Sequence, residues 1–488
     1  MKKGLKSWYF VILVGFLSLI NTGFSIAQDN KSYKINKVNP SAQRIIEHWT
    51  PERRQQAIPK DLVIDSQGAG FLRKPNGDLQ AYGKKIPLDT QTDNIKVPRR
   101  PSGNDNVGPE ISNFSPYDGE TIGTTHTFSV KVLDSSGVKF VKFTFTYPDG
   151  VSTTTLNARK SGDIWSITLN ISEGNWQWYV EAKDKATKGG NTTVTSAKSF
   201  IVGVITPTNP PITNSAWDEP ASIVQKAAGR IYFEMPNEIG GWSAYVCSGT
   251  VATDGTANRS IIITAAHCVY DDVYKKFARN VMFIPDQSST SALGTDLNCN
   301  NDPYGCWVPS FGVVDNNWAL RTFPDNIAWD YAYYVVDDNG AHQGNGTEQI
   351  LDNLASLPID FAAPVFDTSD DSDYSYALGY SYSEDPKFMY CAEDMTTEGL
   401  VNWWIPSCEL SGGSSGGPWV QAMTVDGTGL IVSVNSWGYV SSPGMAGPVL
   451  DSNESSAQCL FNQARQNIFI NSAVDGDAGY VIDGAVCP

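Results

Sequence analysis

Ser415 lies in the run Cys408-Glu-Leu-Ser-Gly-Gly-Ser-Ser-Gly-Gly-Pro-Trp-Val420, where a single hydroxyl could serve as a nucleophile. Gly and Ser in bulk describe a flexible linker. Yet Pro418-Trp419-Val420 and the apolar run at 429–434 follow at once, and a linker does not lead straight into a core strand. Gly413-Ser414-Ser415-Gly416-Gly417-Pro418 fits two nucleophile patterns. The first, G-x-S-x-G, is the elbow of α/β-hydrolases and needs a histidine after the serine. The chain has four histidines, His48, His126, His267 and His342, and all precede Ser415. The second, G-x-S-G-G-P, needs a histidine and then an aspartate upstream, and the order here allows it.

The histidine with a distinctive setting is His267, in Ile261-Ile-Ile-Thr-Ala-Ala-His267-Cys268. The apolar run places a strand, and Ala265-Ala266 leaves room beside the imidazole. A disulfide from Cys268 to Cys247 would pin the turn. Pinning matters because a general base must stay within about 3 Å of the hydroxyl it deprotonates. A zinc site around Cys247, His267 and Cys268 has no C-x-x-C or H-x-x-x-H spacing behind it, so no metal is expected. Asp325, Asp330, Asp337 and Asp360 lie between His267 and Ser415. Asp330 is preferred and Asp325 is the runner-up. Asp330 opens the strand-like Asp-Tyr-Ala-Tyr-Tyr-Val-Val, 63 residues after His267 and 85 before Ser415.

Taken together, CSGT at 247–250, TAAHC at 264–268, GSSGGP at 413–418 and SWG at 436–438 resemble the chymotrypsin/trypsin-like serine endopeptidases. The matching region is roughly residues 229–488. The segment HWTPERRQQA at 48–57 is similar to propeptide segments of secreted bacterial peptidases of this type. The resemblance implies an all-β fold, with two antiparallel barrels and a catalytic seam between them. It implies a Ser415–His267–Asp330 triad, backbone N–H groups of Gly413 and Ser415 as an oxyanion hole, and a substrate-binding edge at Ser436, Trp437 and Gly438. Glu409 stands six residues before Ser415, where the trypsin-like branch carries an aspartate that pairs with substrate Lys or Arg. Three features depart from the family. No Ile-Val-Gly-Gly-like start opens the region, and Gly229-Arg-Ile-Tyr-Phe233 merely begins its first strand. Ser414 replaces the aspartate beside the nucleophile. Ser411 replaces the half-cystine four residues before it, so a Cys391–Cys408 bridge would have to brace the pocket. The expectation is a protease zymogen acting on protein or peptide substrates as a monomer, without a cofactor. Two alternatives stay open: a catalytically idle binding or adhesion protein, and a secreted esterase with the same triad.

These residues need elements to hold them. Lys2, Lys3 and Lys6 precede the apolar run Trp8–Ile20, and small residues at Ser25-Ile26-Ala27 follow. This is a secretory signal over 1–27, since 13 apolar residues fall short of the roughly 20 that span a bilayer. A secreted or periplasmic location follows, with no membrane contact after cleavage. All eight cysteines lie between 247 and 487. In an exported chain they read as disulfides, with sequential pairing expected: Cys247–Cys268, Cys299–Cys306, Cys391–Cys408 and Cys459–Cys487.

Residues 28–107 are polar, too few for a core of their own, and read as a propeptide-like segment and linker. Arg99-Arg100 offers a processing site, and Thr50-Pro51 a capped helix start. Over 108–203 the apolar residues alternate. Examples are Phe128/Val130/Val132, Val141/Phe143/Phe145/Tyr147 and Trp176/Trp178/Val180/Ala182. The pattern predicts a cysteine-free β-sandwich resembling Ig-like modules, with its aromatics in the core. Residues 204–221 read as a second linker, and 222–488 as the catalytic all-β domain. The net charge of −17 argues against nucleic acid or an anionic membrane as partner.

Overall fold

The computed structural model describes residues 40–483 except 66, 85–106, 117, 120, 162–163, 187–189, 204–209, 292–298, 346–347, 363–373, 399–401, 453–454 and 468–477. The signal segment 1–27, Arg99-Arg100 and Cys487 therefore lie outside the described residues. The chain from Lys37 to Pro488 forms one compact unit. It is built mainly of strands arranged in curled sheets. No helix among the described residues is long and apolar enough to cross a membrane.

Residues 110–202 fold into a four-stranded and a six-stranded sheet. Phe128, Val130 and Val132 face Phe143, Phe145, Trp178 and Phe200 in one core that both sheets share. Period-two alternation dictates this, because every second side chain of a strand points to the same face. Tyr147 departs from the expected pattern at 39% exposed. It lies just past the strand Val138–Thr146, before the Pro148-Asp149-Gly150 turn, and leans on Trp176 at 4.5 Å between ring centroids.

Downstream, a ten-stranded sheet includes Ala228–Pro236, Trp242–Ala252, Arg259–Thr264 and Ala332–Asp337. The strand Arg259–Thr264 pairs antiparallel with Ala332–Asp337, setting Thr264 opposite Ala332. A five-stranded sheet contains Tyr374–Gly379, Pro418–Gln421 and Leu430–Val434. A seven-stranded sheet contains Asn402–Ile405, Met445–Pro448 and Trp437–Tyr439. Every residue of Arg259–Thr264 is buried, so its continuous apolar run is the mark of a core strand rather than a half-exposed one.

Part of a segment read as a linker, and much of the propeptide-like segment, have structure. The strand Ile212–Ala216 pairs antiparallel with Met389–Asp394, so the linker reading of 204–221 is corrected over these residues. Its Pro/Thr/Asn-rich composition hid a strand that forms only on a distant sheet edge. Residues 40–84 lack a core of their own, as expected, and borrow the rest of the molecule's. Helix Pro51–Gln56 starts as the sequence predicts, with the Thr50 side chain accepting from the Arg53 N–H and Pro51 in the first turn. Ile45, Ile46 and Trp49 pack into a cluster with Tyr232, Val246 and Met282. Trp49 is fully buried and its indole donates to the Asn280 carbonyl.

Candidate functional site

His267 sits on the single-turn helix Ala266–Cys268, directly after the strand Arg259–Thr264. The Cys247–Cys268 disulfide ties this turn to the neighbouring strand. Cys299–Cys306 and Cys391–Cys408 are also joined, as sequential pairing predicts. Cys459 is disulfide-bonded as well. These bridges belong to a protein outside the reducing cytoplasm. The sulfurs of Cys247 and Cys268 lie with the His267 ring within 4.8 Å of one another. Each sulfur is bonded to the other, so the cluster offers a metal one imidazole and no thiolate.

Asp330 follows the short helix Ile327–Trp329 and leads into the strand Ala332–Asp337, which pairs with the strand that carries His267. Its Oδ1 accepts the His267 backbone N–H at 2.8 Å, and its Oδ2 meets His267 Nδ1 at 2.7 Å. The Ser436 hydroxyl donates to that same Oδ2. Both His267 and Asp330 are buried, at 0% and 1% exposed. The runner-up Asp325 is elsewhere, half-exposed and paired with Lys84 at 2.9 Å. The carboxylate on Nδ1 places the ring proton there and leaves Nε2 as an acceptor. Nε2 is buried with no hydrogen-bond partner among the described residues.

The turn carrying Ser415 is anchored from several sides. The Ser415 carbonyl accepts the Ser248 N–H at 2.7 Å and lies 3.9 Å from Cys268 Sγ, beside His267. The Ser248 hydroxyl donates to the Gly413 carbonyl at 2.9 Å. Asn435 Nδ2 donates to the Ser414 carbonyl at 3.0 Å. Gly413 has φ +98° and Gly416 φ +80°, in the left-handed region that favours glycine. A Cβ on Gly416 would come within 2.1 Å of Thr264 Oγ1. The amides of Ser414, Gly416 and Gly417 bond internally. Those of Gly413 and Ser415 have no acceptor among the described residues. The run is thus a rigid turn and not a linker.

Beside it lies a cavity of about 240 Å³, whose lining includes Glu409, Ser415, Ser436, Trp437 and Gly438. The expected substrate-binding residues are therefore gathered at one opening. Glu409 is exposed, and its backbone N–H is held by the Thr213 carbonyl. Cys408 also lines the cavity, so the Cys391–Cys408 bridge braces its wall.

Sequence reasoning missed three contributors. The Ser436 hydroxyl serves Asp330 as well as belonging to the expected edge. Asn435 holds both the Ser414 and Leu378 carbonyls and accepts from Trp419 Nε1. Asp61, Val63 and Arg73, from the N-terminal segment, line the same cavity. No motif marks any of these, because each depends on a partner far along the chain.

No family model matches the chain. No curated protein matches it. Among solved structures, a crystal structure of an engineered protein is similar at 17% identity and a TM-score of 0.16. The match covers 20% of this chain and 20% of that one, which is too slight to bear on fold or function.

Proposed function

We propose that the protein is an exported serine endopeptidase of the chymotrypsin/trypsin type, with residues 222–488 as a double-barrel catalytic domain and 108–203 as an Ig-like module. One observation carries the reading. A buried imidazole is fixed through Nδ1 by Asp330 and keeps an unpartnered Nε2, and Sγ of its neighbour Cys268 lies 3.9 Å from the carbonyl of Ser415 in a rigid serine turn. Burying a ring nitrogen without a partner costs roughly 1–3 kcal/mol, so the unmade bond calls for an explanation, and a catalytic role supplies one.

In this reading Ser415 Oγ attacks the substrate carbonyl carbon while His267 Nε2 takes its proton. Asp330 holds the imidazole in the required tautomer and stabilises the cation that forms. The carbonyl oxygen becomes an oxyanion facing the Gly413 and Ser415 amides, each such donor contributing about 2.7–4 kcal/mol to the transition state. The imidazolium then protonates the leaving amine, the C–N bond breaks, and an acyl-enzyme on Ser415 remains. Water activated by the same Nε2 attacks the ester and restores the serine. Trp437 and Gly438 would pair with the substrate backbone. Glu409 in the adjoining cavity would meet a Lys or Arg side chain.

Labelling by a fluorophosphonate tests the mechanism: one equivalent on Ser415, lost in His267→Ala, is expected. A chain that takes no label and cleaves no peptide under any activating condition would overturn it. Relative rates on matched amide and ester substrates separate a peptidase from an esterase.

A further inference from the structure

The strand Trp437–Tyr439 has two edges, and both are occupied. Trp437 pairs with Ala446 on one side. On the other, Leu62, Val63 and Ile64 pair in parallel with Trp437, Gly438 and Tyr439. Strand Asp61–Ile64 is itself half of a hairpin with Gly70–Arg73. Just before it, Ile58–Pro59 pairs in parallel with Tyr245–Val246 of the ten-stranded sheet. The chain therefore bridges from one sheet to the other across the face that bears His267 and Ser415. It passes very close: a Cβ on Gly412 would come within 2.6 Å of Asp61 Cβ and 2.8 Å of Pro59 Cβ. Under this cover His267 is 0% and Ser415 5% exposed.

We infer that residues 58–73 are a built-in competitive inhibitor, occupying the backbone edge at 437–439 that a substrate strand would need. The inference rests on the peptidase reading above. An edge offers its N–H and C=O groups to one partner at a time, so substrate and segment exclude each other whichever way the substrate runs.

The segment is held by more than backbone pairing. Leu62, Ile64 and Leu72 are buried in the main core. The Lys60 ammonium, 1% exposed, pairs with Asp271 at 3.3 Å and lies over the Tyr82 ring. Tyr82 in turn donates to Asp272 at 2.6 Å. Arg73 donates to the Tyr439 carbonyl at 2.8 Å, reaching across the edge that the segment fills. A chain so anchored does not leave after a single backbone cut. The hairpin must be pulled out or destroyed.

The test uses the full chain and two variants, Val63→Asp and Arg73→Ala. The first places a carboxylate on a buried position of the paired strand. The second removes only a half-buried side chain and leaves the core intact. Fluorophosphonate labelling of Ser415 and hydrolysis of a fluorogenic peptide library are measured on each. The inference expects the native chain to label and cleave slowly. It expects at least a tenfold rise in variants that still unfold cooperatively, and suppression when excess synthetic peptide 58–73 is added. Equal labelling and cleavage by native chain and variants would overturn the inhibitor while leaving the peptidase reading standing. Absence of label and cleavage in all three would overturn the peptidase reading, and the inhibitor with it.

Discussion

Asp330 grips His267 twice, through the ring Nδ1 and through the residue's own backbone N–H. One carboxylate therefore sets both the position of the turn and the tautomer of the ring. Replacing Asp330 by Asn keeps the shape but offers an amide N–H where an acceptor is needed. Peptide hydrolysis by an activated chain should fall about 10⁴-fold in kcat, with little change in thermal stability. Asp325→Asn is the contrasting variant. Its partner Lys84 is more than half exposed, and such pairs contribute about 0–1 kcal/mol. Steady-state kinetics on both variants would identify the working acid.

Gly416 tolerates no side chain. Its φ of +80° and the 2.1 Å approach to Thr264 Oγ1 mean that Gly416→Ala must displace either the serine turn or the strand carrying His267. The variant should lose about 1–3 kcal/mol from the backbone strain alone, and more from the clash. Thermal denaturation measures the loss, and Ser415 labelling should vanish with it.

Trp49 fastens the N-terminal segment to Tyr232, Val246 and Met282 of the ten-stranded sheet. Truncation to Ala should cost about 3–5 kcal/mol of that packing. Limited proteolysis should then release residues 40–84 sooner than in the native chain, and mass spectrometry of the fragments would show it.

Acidity should tighten the covering segment. Burial pushes the Asp61 carboxyl up to about 6, against the opposing influence of Arg73 and His267. Glu409 lines the same cavity. A carboxyl whose value rises on docking binds its proton more tightly there than when free. Its contribution is complete below the ordinary value near 3.8 and is lost as pH climbs through about 6. Ser415 labelling of the intact chain should therefore rise between pH 4 and about 7, beyond the rise owed to the catalytic base. Asp61→Asn should flatten that excess. An unchanged profile in the variant would show that Asp61 does not govern release.

Local patterns carried much of this molecule. Alternating apolar residues at 128–132, 141–145 and 176–182 determined a buried core, because strand geometry sends every second side chain to one face. Thr50-Pro51 determined a helix start through its own hydroxyl. The turns carrying His267 and Ser415 were legible as local motifs, a histidine beside a half-cystine after an apolar run and a serine among glycines. Tertiary structure alone set Asp330 against His267 and Asp325 against Lys84, since a carboxylate's partner lies in what it faces and not in its neighbours along the chain. It also decided that Ser436 and Asn435 brace the site and that Ile212–Ala216 is a strand. Above all it paired residues 62–64 with 437–439, beside the Ser415 turn. Pairing between strands separated by hundreds of residues is fixed by the edges and cores they share, and a chain written in one dimension does not display those.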